Sequence, residues 1–490
     1  MKTHFKHPQN DSKVHCLLDP PHMIKLSRNV FAETKMSSEK GEINFEFVKK
    51  LHNLQDQEGL RLANKLSSIH VNFGGKKMNV RLTTQVLSSS VADSIDFLRC
   101  SGNLNFADSE ATVEYIRILD RIFDMFNCKQ PFGKGFKSPM RLENMDVWTS
   151  IFNETREYLC KLKVNGSPML QHRRKIPCLG LIIDTFSFSQ FALDLLQKGI
   201  VKYFLTYKCS QDHLEMFFSC LRVAGGHNDN PSALQVKYAI RKLLFRNSVT
   251  PSVNANSFDA DFQTSPVLEF KSNKHECNSV FTTETNEEQQ IEWLLNTVNG
   301  RNLSEYKNNI LYYISGFIVK KFLEKSNCEH CNAALVSNEN EVSKEHSYTI
   351  DLNNYSAFTM FIDRGGLKYA SKFVFLIVQY TEKVFITLAK DSLLKTNRHK
   401  ILILIQQQFL DKLDFLIVPP HPVNSFNCET RHEIILLKFI ANKYLIIECQ
   451  LMAKISHSRP LAHLALLYAI NCTKQFCSVM FNFQMSTIQS

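Results

Sequence analysis

The chain has 490 residues, enough for about three domains, and 44% of them are hydrophobic, enough to build real cores. Fourteen cysteines are spread along the chain without a dense framework, which excludes a disulfide-rich secreted scaffold and indicates reduced intracellular thiols. The formal charge of +11 is compatible with a polyanionic partner but does not establish one.

Membrane insertion and secretion are not predicted. The most apolar runs, Phe373–Val378, Ile401–Ile405 and Leu461–Ile470, are far shorter than the roughly 20 residues of a spanning helix. The first residues carry no apolar segment typical of a signal peptide. We therefore expect a soluble protein of the nucleus or, alternatively, the cytoplasm.

The N-terminal third is predicted to begin with a strand and continue as helices. Val14–Leu18 is predicted as a buried strand, with a helix after Asp19, and nothing before Val14 is predicted to pair with it. The chain is therefore expected to open in the middle of a fold. Residues 44–152 show helical periodicity, and Ser109 is predicted to cap the third of these helices. The predicted apolar faces are Val48–Leu60, Val86–Leu98 and Val113–Phe126.

A hairpin and further helices are predicted after a loop at residues 131–139. Asn165-Gly166 suits a type I′ turn, which predicts a β-hairpin over Tyr158–Arg174. Helices are predicted over Gln190–Thr206 and Asp212–Arg222, and another from residue 230. Residues 247–290 are predicted to be a flexible insertion, and helical patterning returns in 291–323 and 357–455.

Four segments within residues 14–246 carry distinctive motifs. They begin at Asp19 (D-x-P-H-x-I-K-x-x-R-N), Leu87 (L-S-x-S-V-A), Phe132 (a glycine-containing loop) and Tyr207 (Y-K-x-S-Q-D-H-x-E-x-F-F). In this order they resemble segments of the P-element-type DNA transposase family, in which the loop follows the nucleotide-binding helix.

The resemblance implies an α/β plus mostly α fold, in which a partial RNase H-like core is interrupted by a largely helical GTP-binding insertion domain. The predicted parts are a strand and helix of the core (1–36), the insertion domain (37–200), core helices (201–246), the flexible insertion (247–290), a helical C-terminal domain (291–455) and a divergent tail (456–490).

Glu215 is the predicted catalytic residue and Mg²⁺ ligand. Carboxylates supply the oxygen ligands that Mg²⁺ needs for strand transfer. Spacing alone favours an exposed helical glutamate. The resemblance identifies Glu215 as the third acid of an Asp, Asp, Glu set. It also implies that the first two acids, and the family's zinc-coordinating N-terminal domain, lie ahead of Met1.

The predicted guanine reader is Asp124. One carboxylate can accept both N–H donors of a guanine edge, and Asp124 shares a helix face with Asp120 and Asn127. Composition alone favours a solvated polar stripe. The resemblance of Phe123–Asn127 to the family's F-D-x-x-N segment implies that Asp124 and Asn127 bind GTP, whereas Asp120, without such a match, is predicted to be solvated.

Two further nucleotide contacts, Asp212 and Lys65, are predicted with open alternatives. Asp212 could simply be the N-terminal cap of its helix, and Lys65 an ordinary surface lysine. The sequence Gly133-Lys134-Gly135 lacks the spacing of a phosphate-binding Walker loop and is interpreted as a turn.

Three basic clusters are candidates for contact with DNA phosphates: Lys76-Lys77, His172–Lys175 and the helix from Lys237 to Arg246. Solvated faces or a nuclear-localisation run are the alternatives. Cys328-x-x-Cys331 could begin a zinc site, but no second ligand pair follows at standard spacing, and Cys428 or His346 could complete the site only through folding.

The leading functional hypothesis is a segment of a transposase that binds GTP, DNA at transposon ends and target, and Mg²⁺, with a homo-oligomer as a further expectation. The alternatives are a domesticated, non-catalytic GTP- and DNA-binding protein and an unrelated helical scaffold.

Overall fold

The computed structural model describes residues 2–246 except Gly225, His227 and Asp229, and then residues 298, 300–325, 328–337, 355–390 and 432–456. The chain divides into two compact units, residues 1–271 and 272–490. The described residues form small sheets in the first unit and are otherwise mainly helical, which confirms the predicted α/β plus mostly α class.

The chain begins with a hairpin. Strand β1 (His4–Lys6) pairs antiparallel with β2 (Lys13–His15), with Phe5 opposite Val14. The prediction that nothing precedes Val14 to pair with it is therefore wrong. Because β1 has three residues and only one apolar side chain, it leaves no hydrophobic pattern in the sequence.

Helix α1 (Pro20–Glu33) follows as predicted, because the Asp19 carboxylate caps it by accepting a hydrogen bond from the His22 backbone N–H at 3.1 Å. A four-stranded sheet in the order β4-β3-β5-β6 then joins distant parts of the chain. Its strands are β3 (Met36–Ser38), β4 (Gly41–Ile43), β5 (Lys163–Val164) and β6 (Ser167–Pro168).

The predicted turn at Asn165-Gly166 is confirmed, since both residues have positive φ angles, 50° and 81°. The strands on either side are only two residues long, much shorter than predicted. The segment from Tyr158 to Lys161 instead ends helix α7 (Met145–Lys161).

Six α-helices lie between the two halves of this sheet. Before α7 come α2 (Glu46–Glu58), α3 (Ser68–Val71), α4 (Val80–Val86), α5 (Ser89–Cys100) and α6 (Glu110–Phe126). The predicted faces are confirmed, since Val48, Ile95 and Ile116 have no exposed surface. Ser109 is the N-cap residue of α6, as predicted, although its hydroxyl donates to the Phe106 carbonyl and does not cap the helix.

Helix α8 (Ile176–Gln197) begins 14 residues earlier than predicted and ends before Thr206. Its first half is apolar on all sides, so it shows no amphipathic period. Within the described residues it is the one helix long and apolar enough to cross a membrane, but 56% of its apolar window is buried inside the fold. It packs between α1 and α7. The helices α9 (Asp212–Ala224) and α10 (Ala233–Arg246) follow close to their predicted positions.

The second unit contains α11 (Glu305–Leu323), α12 (Glu329–Leu335), α13 (Ala357–Ile362), α14 (Lys372–Lys390) and α15 (His432–Ser456). Between α14 and α15, the buried Tyr444 hydroxyl donates to Glu382 Oε2 at 2.8 Å. Burial raises the pKa of Glu382 to about 7 and that of Glu448 to about 8. The predicted insertion at 247–290 and the tail after Ser456 lie outside the described residues.

Candidate nucleotide site and catalytic helix

Asp124 lies in the last turn of α6 with 28% of its side chain exposed. Within the described residues the one ion-pair partner of its carboxylate is Lys137, whose Nζ is 3.6 Å from Oδ1. Burial and then the nearby Asp120 raise the pKa of Asp124 to about 6, against the opposing effect of Lys137. Asp124 is thus a half-buried carboxylate with acceptor capacity to spare, at a position where a ligand can reach it.

Lys137 comes from the loop of residues 131–138, which folds back onto the end of α6. The Cys128 thiol donates to the Lys137 carbonyl at 3.0 Å. A Cβ on Gly133 would lie 2.0 Å from that same oxygen, so the close approach of the loop to itself requires glycine there. Two exposed rings, Phe132 and Phe136, project from this loop, 88% and 44% exposed.

Asp120 is not solvated, and that prediction is wrong. Its Oδ2 accepts a hydrogen bond from the Ser89 N–H at 2.8 Å and a second from the Ser89 hydroxyl, at the first residue of α5. Burial raises the pKa of Asp120, and the bonds from Ser89 oppose that rise. The carboxylate stabilises the N-terminus of α5, where the helix dipole favours negative charge.

Asn127 and Lys65 take different positions relative to Asp124. Asn127 is the C-terminal cap of α6, and its N–H donates to the Asp124 carbonyl at 3.3 Å. Lys65 is exposed in the turn between α2 and α3, and no hydrogen bond or ion pair joins it to Asp124 among the described residues. The structure thus brings Asp124, Asn127 and Lys137 together, and among the described residues it joins Lys65 to none of them by a hydrogen bond or ion pair.

The end of α6 is bound to the segment that leads into α9. The Thr206 hydroxyl donates to the Met125 carbonyl at 2.6 Å and accepts from the Cys128 N–H at 3.1 Å. The next residue, Tyr207, contacts the ring of His213 at 4.8 Å between centroids. Because His213 is the second residue of α9, this chain of contacts connects the Asp124 region with the helix that carries Asp212 and Glu215. Sequence reasoning placed Thr206 at a helix end and missed this role.

The start of α9 is also held by Asp19, the N-cap of α1, and α8 in turn holds the residue before Asp19. Asp19 Oδ1 accepts from the Gln211 N–H at 3.0 Å, one residue before α9 begins. Asp184 on α8 is fully buried, and its Oδ1 accepts from the Leu18 N–H at 2.8 Å. Burial raises the pKa of Asp184 to about 8, so its carboxyl group is mainly protonated at neutral pH. Asp184 lies in the part of α8 that precedes the predicted helix, so no sequence pattern identified it.

Asp212 and Glu215 both lie in the first turn of α9 and are partly exposed. The first carbonyl to accept helical hydrogen bonds is that of Gln211, so Asp212 lies inside the helix rather than at its cap. Within the described residues no three His, Cys, Asp or Glu side chains are grouped so as to hold a metal ion. Glu215 alone therefore does not form a two-metal site with its described neighbours. Cys328 and Cys331 belong to no such group either.

Comparisons with known proteins identify three segments. The model of the TNP-like, GTP-binding insertion domain matches residues 21–139, which include Asp124 and Lys137. The model of the TNP-like, RNase H C-terminal domain matches residues 207–239, which include Glu215. The model of the DNA transposase THAP9 C-terminal domain matches residues 302–454.

Two curated relatives span much of the chain. The "Transposable element P transposase" of Drosophila melanogaster is 26% identical over 65% of this chain and 42% of its own length. Human "DNA transposase THAP9" is 23% identical over 94% of this chain and 51% of its own length. The chain thus spans about half the length of the relatives it matches.

Among solved structures, the "Drosophila P element transposase strand transfer complex" is 27% identical, with a TM-score of 0.44, over 50% of this chain and 55% of the other. The predicted RNase H-like and GTP-binding insertion regions are matched by the family models in the predicted order. The chain therefore contains segments that match TNP-like and THAP9 C-terminal domain models, and it is similar to P-element-type DNA transposases.

Proposed function

We propose that the chain binds a guanine nucleotide, GTP, through Asp124. The observation that carries this proposal is the half-buried carboxylate at the end of α6, with one cation at 3.6 Å as its described partner. The match of residues 21–139 to a GTP-binding insertion domain supports it. An ionised carboxylate can accept the N1–H and N2–H of guanine side by side, and adenine lacks that pair of donors.

The neighbours of Asp124 suit this role. Lys137 favours the ionised form of Asp124 and can move away as guanine enters, because its side chain is 67% exposed. Asn127 follows on the same helix end, and Asp212 is reached through the Thr206–His213 contacts. Lys65 and the contact of Asp212 with nucleotide remain parts of the proposal.

We further propose that the chain binds DNA and that Glu215 serves DNA cleavage and strand transfer in the nucleus, within a polypeptide or assembly that supplies further carboxylates. Mg²⁺, when bound, would stabilise the attacking and leaving oxygens of phosphoryl transfer. The residues of this chain would orient that site: Asp19 fixes the start of α9 through Gln211, and α9 presents Glu215 one turn later. A non-catalytic GTP- and DNA-binding protein is the second candidate.

The nucleotide proposal is tested by Asp124→Asn in the full chain, with fluorescent GTP and xanthosine triphosphate as probes. Asparagine presents an N–H₂ donor, which suits the second carbonyl of xanthine and opposes the N–H₂ of guanine. We expect GTP affinity to fall about 10- to 100-fold, as for loss of a charge-assisted hydrogen-bond pair. Xanthosine triphosphate should gain affinity. Unchanged GTP affinity would refute the role of Asp124.

The catalytic proposal is tested separately, by DNA nicking with Mg²⁺. Glu215→Gln is compared with wild type and with Glu143→Gln, an exposed glutamate of the insertion region. Loss of nicking in Glu215→Gln but not in Glu143→Gln supports a catalytic role for Glu215. Absence of nicking in the wild type, with GTP and DNA binding retained, supports the non-catalytic candidate for this chain.

A further inference from the structure

Two of the three predicted basic clusters meet at one carboxylate. Glu33, the last residue of α1, places Oε1 2.6 Å from Lys77 Nζ and Oε2 2.7 Å from Arg174 Nη1. The hydrogen bond from Lys77 is the largest cause, and that from Arg174 the next, of a lowered pKa of Glu33. The structure thereby joins two segments that are far apart in sequence. We call Glu33, Lys76-Lys77 and Arg173–Lys175 the Glu33 surface.

The cationic side chains of the Glu33 surface outnumber its one carboxylate. The set contains five cationic side chains, of which Lys77 and Arg174 form ion pairs with Glu33. Three of them, Lys76, Arg173 and Lys175, are exposed and form no ion pair with any described residue. Like charges gathered in this way repel one another, and a polyanion relieves that repulsion.

The N-terminus of α8 adds to the positive potential. Lys175 occupies its N-cap position, the first turn contains no acidic residue, and no side chain caps it. A helix N-terminus carries a partial positive charge, so acidic residues are usually stabilising there and cations are unfavourable. The arrangement is unfavourable in isolation and favourable when an anion lies against it.

Hydrogen bonds hold the two backbone segments that carry these cations. The buried Arg28 guanidinium lies 3.8 Å from the centroid of Phe73, and its Nη2 donates to the Lys77 carbonyl at 2.7 Å. On the other side, the Arg174 N–H donates to His172 Nδ1 at 3.2 Å. Both backbone segments are therefore ordered before a partner arrives, which lowers the entropic cost of binding.

We propose that the Glu33 surface binds the phosphate backbone of double-stranded DNA, with phosphate replacing Glu33 as the partner of Lys77 and Arg174. This inference rests on the proposed DNA binding of the chain. Contacts to phosphate carry no sequence information, so this surface positions the duplex and contributes a salt-dependent affinity. Glu33 acts as an internal competitor that weakens this binding.

The first test compares two double charge reversals in the full chain. Lys76→Glu with Arg173→Glu changes the surface, and Lys198→Glu with Lys202→Glu makes the same charge change beyond the other end of α8, a helix of roughly 33 Å. Affinity for a labelled random-sequence DNA duplex is measured by anisotropy at several salt concentrations. GTP affinity is measured in parallel.

We expect the surface pair to reduce the slope of log affinity against log salt by about 2, and the control pair to change it far less. Glu33→Gln should strengthen DNA binding, because Lys77 and Arg174 become available to phosphate. Equal losses in the two pairs, weaker binding in Glu33→Gln, or a larger loss on an RNA duplex than on DNA would each overturn the proposal. A wild-type chain that binds GTP but no DNA at low salt would instead refute DNA binding itself.

Discussion

GTP affinity is expected to fall by about tenfold between pH 7 and pH 5, because Asp124 must be ionised to accept both guanine donors. Burial and the neighbouring Asp120 raise the pKa of Asp124 to about 6. A group with that pKa is about 90% ionised at pH 7 and about 9% ionised at pH 5. The ionised form of Asp124, which is the form that binds GTP, therefore predominates above pH 6 and is lost as the pH falls through that value.

The assay is isothermal titration or fluorescence anisotropy with GTP in the full chain, in steps from pH 7.5 to pH 5. Folding at each pH is checked by near-ultraviolet circular dichroism. ATP serves as the comparison ligand, since it lacks the donor pair that an ionised carboxylate recognises. A decrease of the same size for both nucleotides would indicate a general acid effect rather than titration of Asp124.

Asp120→Asn provides the matched control. The amide oxygen retains an acceptor for the Ser89 N–H, so the start of α5 keeps its partner. The substitution removes the like charge that raises the pKa of Asp124, so the midpoint for GTP binding should move to lower pH. A flat GTP affinity from pH 7 to pH 5 in the wild type, or an unchanged midpoint in Asp120→Asn, would refute the reasoning.

Gly133→Ala should destabilise the fold by about 1–3 kcal/mol and weaken GTP binding, because the new methyl group meets the Lys137 carbonyl; unchanged GTP affinity would contradict this. Asp184 has a folded pKa of about 8, above its ordinary 3.8, so stability is fully present below about pH 4 and is lost progressively up to pH 8, by at most about 1.4 kcal/mol per pH unit. Asp184→Asn should flatten that profile in urea unfolding, and parallel profiles would contradict the assignment. Tyr444→Phe should cost about 1–3 kcal/mol in the same assay, because buried Glu382 loses its donor, and an unchanged midpoint would exclude that role.

Sequence patterns predicted the amphipathic elements of this fold well and the others poorly. The face of α6 was predicted residue by residue, because one side is apolar and the other polar. The start of α8 was missed, because a helix buried on most sides has no polar face to set a period. Strand β1 was missed because three residues are too few to show alternation, and its pairing depends on β2.

In the candidate site, too, residues in local motifs were predicted and residues with tertiary roles were not. Asp124 and Glu215 were predicted from short motifs, because each lies in a segment whose residue types are recognisable within a few positions. Thr206 could not be assigned a role, since its function is to bind the end of α6, about 80 residues earlier in the chain. Local patterns report what one helix or turn requires, and tertiary partners become visible only when the chain has folded.

Glu33 shows why this distinction matters for function. In the sequence it is an acidic residue at a helix end, where the helix dipole makes a carboxylate unfavourable. In the structure its carboxylate pairs with both Lys77 and Arg174. The ion pairs with these two cations offset the unfavourable interaction of the Glu33 carboxylate with the dipole of its own helix. The same partners are the cations that a phosphate would need, so in the proposed complex DNA would displace Glu33.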